Sequence, residues 1–194
     1  MKNRYVFFGA SSTLNQIFLV LSCLFAANAV AAESKYETEV AKWKTHDDVA
    51  KWLKSNFVFD KNRQAQVQIQ LKETGVENIL TRKPATLFEN YHGHCRDSAS
   101  FAKDALNKIN PDYQARYLFI KNKYGPPNHW VTGFKVENKI YVIDYGAGKN
   151  WWAMEGVHGP YESLDGYKTF LASLTIQGFA PEMVKWRDIP GRED

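Results

Sequence analysis

The sequence predicts an α+β domain in which an amphipathic helix with a cysteine at its start precedes a small antiparallel sheet. Three observations carry that expectation. Apolar residues recur at three- and four-residue intervals between Val40 and Leu53, and the run from Cys95 to Ile109 keeps the same helical period. From Ala115 to Tyr145 the pattern changes to strand-like stretches separated by polar turns.

The chain of 194 residues opens with Lys2 and Arg4, followed by the apolar run Ile17 to Phe25 and the small-residue stretch Ala26 to Ala32. This order reads as a secretory signal peptide over residues 1–31, with Ala29-Val30-Ala31 as the cleavage site. The apolar run is short for a membrane span. Lipid attachment at Cys23 is disfavoured, because the apolar stretch continues beyond it and Leu21 fits that pattern poorly. An exported protein is therefore expected, periplasmic or secreted, with no transmembrane segment in the mature chain and a single domain over residues 32–194.

Cleavage removes two basic residues and no acidic one, leaving 23 basic against 21 acidic residues and a net charge of +2. Such a balance, with no long basic run, gives no electrostatic basis for nucleic-acid binding. The sequence sets no oligomeric state.

Val40, Trp43, Val49, Trp52 and Leu53 lie on helical spacing, and Thr45-His46-Asp47-Asp48 reads as a break and recapping between two short helices. The stretch Gln64 to Leu71 fits an exposed strand or a helix equally. Pro84 starts a short helical turn over Ala85 to Asn90. In the helix from Cys95, residues Ala99, Ala102, Leu106 and Ile109 fall within about 40° of the cysteine around the axis.

Asn110-Pro111-Asp112 stops that helix, Ala115 to Ile120 alternates as a strand, and Tyr124 to Asn128 is a loop. His129 to Val136 and Lys139 to Tyr145 then form a β-hairpin. A two-residue turn at Glu137-Asn138 puts His129 and Asp144 on one face, as does a turn at Asn138-Lys139, whereas a three-residue loop separates them. Gly146 to Pro160 reads as a loop holding Trp151 and Trp152, with Tyr161 just beyond it. Ser163 caps a last helix with Phe170, Leu171 and Leu174 on its apolar face.

Cys95 is the one cysteine left after cleavage. An unpaired thiol in an oxidising compartment marks either chemistry or an inert core position. Its place on the apolar stripe favours the core, and its place at a helix N-terminus favours a thiolate, because exposed N–H groups and the helix dipole stabilise negative charge. Gly93 is expected to let the backbone approach a substrate closely. Asp144, inside an apolar run, needs a hydrogen-bond partner, and His129 on the same face supplies one. Thiol, imidazole and carboxylate then form a set of nucleophile, base and orienting group.

The segment Gly93-His94-Cys95-Arg96-Asp97-Ser98-Ala99, the following strand, His129-Trp130-Val131 and Ile143-Asp144-Tyr145 together resemble the transglutaminase-like superfamily, including bacterial transglutaminase-like cysteine proteinases. The resemblance spans about residues 40 to 170. It implies a papain/transglutaminase-like fold and a Cys-His-Asp triad of Cys95, His129 and Asp144. It also implies acyl transfer or hydrolysis at a peptide or glutamine amide, with a protein or peptide as substrate partner. Asp97 matches an acidic residue common just after the family's cysteine. Trp130 follows His129 directly, where family members often place one residue between the two. Asn90, His94, Trp130 and Trp151 are the candidates for oxyanion or substrate-groove positions, beside the N–H of Cys95 itself.

Two other readings compete. His92, His94, Cys95 and His129 offer ligands that suit zinc, but the pattern lacks the paired spacing of zinc sites, and neither metal nor cofactor is expected. A non-catalytic binding module on the same fold is the alternative, with Trp151, Trp152 and Tyr161 lining a groove for peptide or glycan.

Overall fold

Helix α1 (Lys35–Val40) starts where Ser34 Oγ accepts the Glu37 N–H, and the chain breaks and recaps as expected before α2 (His46–Asn56). Asp48 closes that second start by accepting the N–H groups of Lys44 and Thr45 at 2.8 and 3.0 Å. The computed structural model describes residues 34–75 and 78–188 together with the backbone of Arg192–Glu193, and the signal-peptide reading of residues 1–31 lies outside the described residues.

The ambiguous stretch Gln64 to Leu71 is helical. It belongs to α3 (Lys61–Thr74), which follows the short strand β1 (Val58–Phe59). Asp60 caps it by accepting the N–H groups of Asn62 and Arg63, and Gly75 leaves it at φ 80°. Only Arg63 and Val67 of α3 are buried, so no apolar face was available to declare its period. Strand β2 (Leu80–Thr81), helix α4 (Pro84–Asn90) and strand β3 (His92–Gly93) lead to α5 (Cys95–Ile109).

Five antiparallel strands make the main sheet: β4 (Arg116–Asn122), β5 (His129–Val136), β6 (Lys139–Asp144), β7 (Gly156–Tyr161) and β8 (Pro181–Arg187), in the order β7-β6-β5-β4-β8. The β5–β6 turn has Val136 opposite Lys139, with Glu137 and Asn138 both at positive φ, 50° and 64°. This is the primed geometry that matches the right-handed twist of the flanking strands.

Three elements differ from the sequence expectation. The segment read as a loop before Pro160 holds a 3₁₀ turn (Lys149–Met154) and most of β7, whose Gly156, Gly159 and Pro160 resemble a loop in sequence. Strand β8 had no counterpart, its burial being too irregular for a clean alternation. Helix α6 (Leu164–Ser173) has the expected apolar face, Leu171 with Phe170 and Leu174 packed in one cluster beside Tyr167, but Ser163 before it makes no side-chain capping hydrogen bond.

The sheet separates two apolar layers. On one face Phe101, Ala102, Ala105 and Leu106 of α5 pack with Phe134 and Ile143, and the earlier helices close over them with Val49, Leu53 and Leu87. Trp52 stacks on Phe101 with 4.3 Å between ring centroids. On the other face Leu118, Ile120, Val131 and Val142 meet Tyr167 and Leu171 of α6. Thr132 Oγ1 donates to the Ala99 carbonyl at 2.6 Å, which fixes α5 across β5. Among the described residues no helix is long and apolar enough to cross a membrane.

Helix α5 is buried beyond its apolar stripe, since Arg96, Asp97, Ser98 and Ser100 are enclosed as well. Asp97 organises that end. Its carboxylate accepts the His94 N–H at 2.8 Å and the Arg82 N–H at 2.8 Å, and pairs with the buried Arg63 guanidinium at 3.3 Å. One carboxylate thereby ties α3 and the β2–α4 connection to the start of the cysteine helix. Gly93 serves the same packing: a Cβ there would lie 2.9 Å from Leu87 Cδ1 and 3.0 Å from Asp97 Cβ, so it is a close-approach glycine inside the protein, not one that faces a substrate.

Replacing Asp97 with Ala removes the carboxylate from beside the Arg63 guanidinium, which keeps the Leu80 carbonyl, and takes the acceptor from the His94 and Arg82 N–H groups. A loss of about 3–5 kcal/mol is expected in urea unfolding. A loss below about 1 kcal/mol would show that Asp97 does not organise this end of α5.

Candidate active site

Three elements converge on Cys95: the start of α5, the start of β5 and the turn that follows β6. The closest approach is backbone to backbone. A Cβ on Gly146 would lie 2.6 Å from Cys95 Cα, nearer than real Cβ atoms come, so only glycine allows this turn to rest against the helix start. The sequence holds Gly146 in plain view, but a residue whose role is to lack a side chain gives no chemical signal.

Cys95 is 2% exposed and stands at the first position of α5, where backbone N–H groups have no partner within the helix. His129, the first residue of β5, is 2% exposed and lines the same cleft as the thiol. Its Nε2 lies 2.6 Å from Asp144 Oδ2, which leaves Nδ1 for the sulfur. The second oxygen of Asp144, Oδ1, accepts the Gly146 N–H at 2.9 Å. Both carboxylate oxygens are therefore satisfied away from water, as a buried charge requires.

His94 adds a second imidazole. Its Nδ1 and Nε2 lie 3.3 and 3.6 Å from Cys95 Sγ. Near-equal distances place the sulfur beside the ring edge, not along one N–H axis, so the contact acts more through charge than through a directed hydrogen bond.

These neighbours set the titration of the pair. Burial pushes the Cys95 thiol up, but the charge of His94 and the influence of His129 outweigh it and bring the pKa down to about 6. Burial pulls His129 down, and the charge of Asp144 with its hydrogen bond outweighs that and raises it to about 10. Between those values the favoured state is thiolate beside imidazolium.

The cleft over the sulfur has a volume of about 210 Å³ and is lined by Phe59, Gln64, His94, His129 and Trp151 among others. Trp151 meets the His129 ring edge-on, 5.8 Å between centroids, and its own exposure is 9%. Trp152, its neighbour, is 71% exposed, and Tyr161 packs with Tyr167 and Phe170, so the three aromatics read together from the sequence do not form one platform.

The other expected positions divide. His94 and Trp151 line the cleft. Trp130 faces α5, packs with Cys95 and Ala99 and carries the Arg96 guanidinium 4.4 Å over its ring, outside the cleft because strand alternation points it away from His129. Asn90 is exposed at the end of α4 and does not line the cleft. The segment after it is committed to β1, with the Tyr91 and Gly93 carbonyls accepting the Val58 and Asp60 N–H groups. His92 is exposed on β3. Gln64, which the sequence did not single out, also lines the cleft, and reading Asp60 as a helix cap was the signal that would have placed it.

A transglutaminase-like domain family matches residues 27–149, a span that includes Cys95, His129 and Asp144. The chain belongs to the transglutaminase-like family. Among solved structures, Legionella pneumophila LapG in an EGTA-treated form is 17% identical with a TM-score of 0.40, covering 57% of this chain and 59% of that one. A second LapG structure from Legionella pneumophila is 16% identical, with a TM-score of 0.39 and coverage of 57% and 60%. A crystal structure of a TGase is 13% identical with a TM-score of 0.40, covering 91% of this chain and 48% of that one. The chain spans about three-fifths of the LapG chains it matches. No curated protein matches it. The α+β arrangement, with the cysteine helix packed on an antiparallel sheet, is thus that of a transglutaminase-like domain.

Three outcomes test this geometry. The rate of alkylation of Cys95 by iodoacetamide should rise through a midpoint at about 6 and then level off, because a lowered thiol pKa means thiolate above that pH. In His129→Ala burial is opposed by less, and the midpoint should move up towards or beyond the ordinary 9.0. Gly146→Ala should displace the helix start and slow alkylation at neutral pH by roughly tenfold or more, and an unchanged rate would show that the close approach does not matter.

Proposed function

We propose that this transglutaminase-like protein is an exported cysteine enzyme that cleaves or transfers the acyl group of a peptide or glutamine amide through Cys95, His129 and Asp144. The observation that carries the reading is the buried, hydrogen-bonded pair of Asp144 and His129 in the wall of the cleft that also holds Cys95, a thiol whose pKa is lowered to about 6.

The roles follow from the chemistry of each group. The Cys95 thiolate attacks the amide carbonyl carbon, and the negative charge moves to the carbonyl oxygen. The N–H of Cys95 at the helix start is one donor to that oxygen, and Gln64, in the wall of the same cleft, is the candidate for the second. The His129 imidazolium gives its proton to the leaving amine, and a thioester remains on Cys95. His129, now neutral, takes a proton from water or from an incoming amine as that nucleophile attacks the thioester and releases the thiolate. Water yields hydrolysis and an amine yields cross-linking. Asp144 stays ionised and holds the ring in the orientation that presents Nδ1 to the sulfur.

Burial of the ion pair favours this over an inert module, because a thiol kept only for packing has no use for a histidine and a carboxylate at its side. Cys95→Ala should abolish covalent labelling by a thiol-reactive peptide probe while circular dichroism stays unchanged. Asp144→Asn should keep the fold and lower kcat/KM by about 10²–10⁴. Equal labelling of wild type and Cys95→Ala would remove the proposal.

A further inference from the structure

A second cavity adjoins the thiol cleft. Its volume is about 630 Å³ against about 210 Å³ over the sulfur, and the two share His94 and Asn128 as walls. The first carries the reacting atoms, and the second has none of them. Its lining is largely apolar and aromatic, with Leu71, Ile79, Phe119, Trp130 and Trp186 prominent, and its size lies in the range of pockets that enclose a small ligand or large side chain.

The charges in this wall are uneven. Arg96 and Arg187 both line it, the first over the Trp130 ring at 4.4 Å and the second over the Phe119 ring at 5.8 Å. Asp188 is the acidic residue among the described lining residues, and its carboxylate is already paired with Arg116 at 2.7 Å. Arg96 is enclosed with Asp97 as a charged neighbour, so the exposed positive charge of the wall is that of Arg187, beside the Phe119 ring.

We propose that this cavity is the specificity subsite of the enzyme, receiving a bulky apolar side chain of the peptide substrate with an acidic residue favoured beside it. The inference rests on the cysteine-enzyme reading above and adds to it a substrate class. The shared walls explain why the occupant is the substrate itself: His94 and Asn128 set the second cavity directly beside the cleft that holds the sulfur, within reach of a chain bound there. An apolar side chain gains by burial against the aromatic wall, and a neighbouring carboxylate gains from Arg187 at the rim, whereas a lysine there is repelled.

The test uses the full chain and a set of capped peptide vinyl sulfones that differ only in the residues next to the reactive group: Gly-Gly, Phe-Gly, Phe-Asp and Phe-Lys, with the two positions also exchanged. The thiolate sulfur adds to the β-carbon, the π pair moves to the α-carbon, and that carbon takes a proton from the His129 imidazolium. Nothing leaves. Each inactivation rate is divided by the rate with iodoacetamide, which is too small to need the subsite.

Peptides with Phe should react roughly tenfold or more faster than Gly-Gly, and those with Asp faster than those with Lys. Gln68→Trp, on α3 and lining only the second cavity, should remove the preference for Phe while leaving the iodoacetamide rate unchanged. Arg187→Glu should reverse the order of Asp and Lys. If Cys95 reacts with iodoacetamide but all peptides react alike, or if Gln68→Trp keeps the preference for Phe with the iodoacetamide rate intact, the subsite is wrong and the enzyme reading stands. A cysteine inert to iodoacetamide and to every peptide overturns both.

Discussion

The rest of the site depends on one buried contact, the 2.6 Å pairing of His129 Nε2 with Asp144 Oδ2. An imidazole enclosed to this degree is driven towards its neutral form, and a thiol enclosed beside it is driven towards its protonated form. Asp144 reverses the first, and His94 together with His129 reverses the second. The charge of Asp144 keeps His129 protonated, and the imidazolium in turn favours the thiolate of Cys95. Asp144 is itself tolerable in the interior because the Gly146 N–H occupies its other oxygen. Each buried charge is thus made possible by the next group in the series, and removal of any one leaves a neighbour uncompensated.

The fold's contribution is to bring these groups together from separate elements without relying on a long loop. A two-residue turn sets the β5–β6 register, and the register puts His129 and Asp144 on one face. Asp97 anchors the start of α5 from below, and Gly146 allows the turn after β6 to touch that start. Thr132 locks the helix onto β5 through the Ala99 carbonyl. The sulfur is held by backbone geometry on both sides, which favours a preorganised nucleophile over one assembled by a large movement.

What could be read from the amino-acid order follows from these same constraints. The hairpin was legible because strand parity is discrete, so either two-residue turn gave the same face for His129 and Asp144. The start of α5 was legible from its apolar period. Helix α3 was not, because a helix that buries little beyond Arg63 and Val67 has no apolar face to reveal its period. Trp151 and Trp152 are adjacent and equally aromatic, yet one covers His129 and the other faces solvent, a difference set by the 3₁₀ turn and not by composition. His94 was visible beside the cysteine, but its closeness to the sulfur depends on the extended backbone that precedes the helix. Gly146 was illegible for a simpler reason: what matters there is space.

The central claim is that His129 is an imidazolium held between a carboxylate and a thiolate. Nitrogen-15 NMR of the His129 ring tests it most directly, comparing wild type with Cys95→Ala and Asp144→Asn across neutral and mildly alkaline pH. Both ring nitrogens of the wild type should remain protonated at neutral pH and well above it, and the ring should lose a proton at lower pH in each variant, most in Asp144→Asn. A wild-type His129 that is neutral at pH 7, or one whose titration is the same in all three proteins, would contradict it.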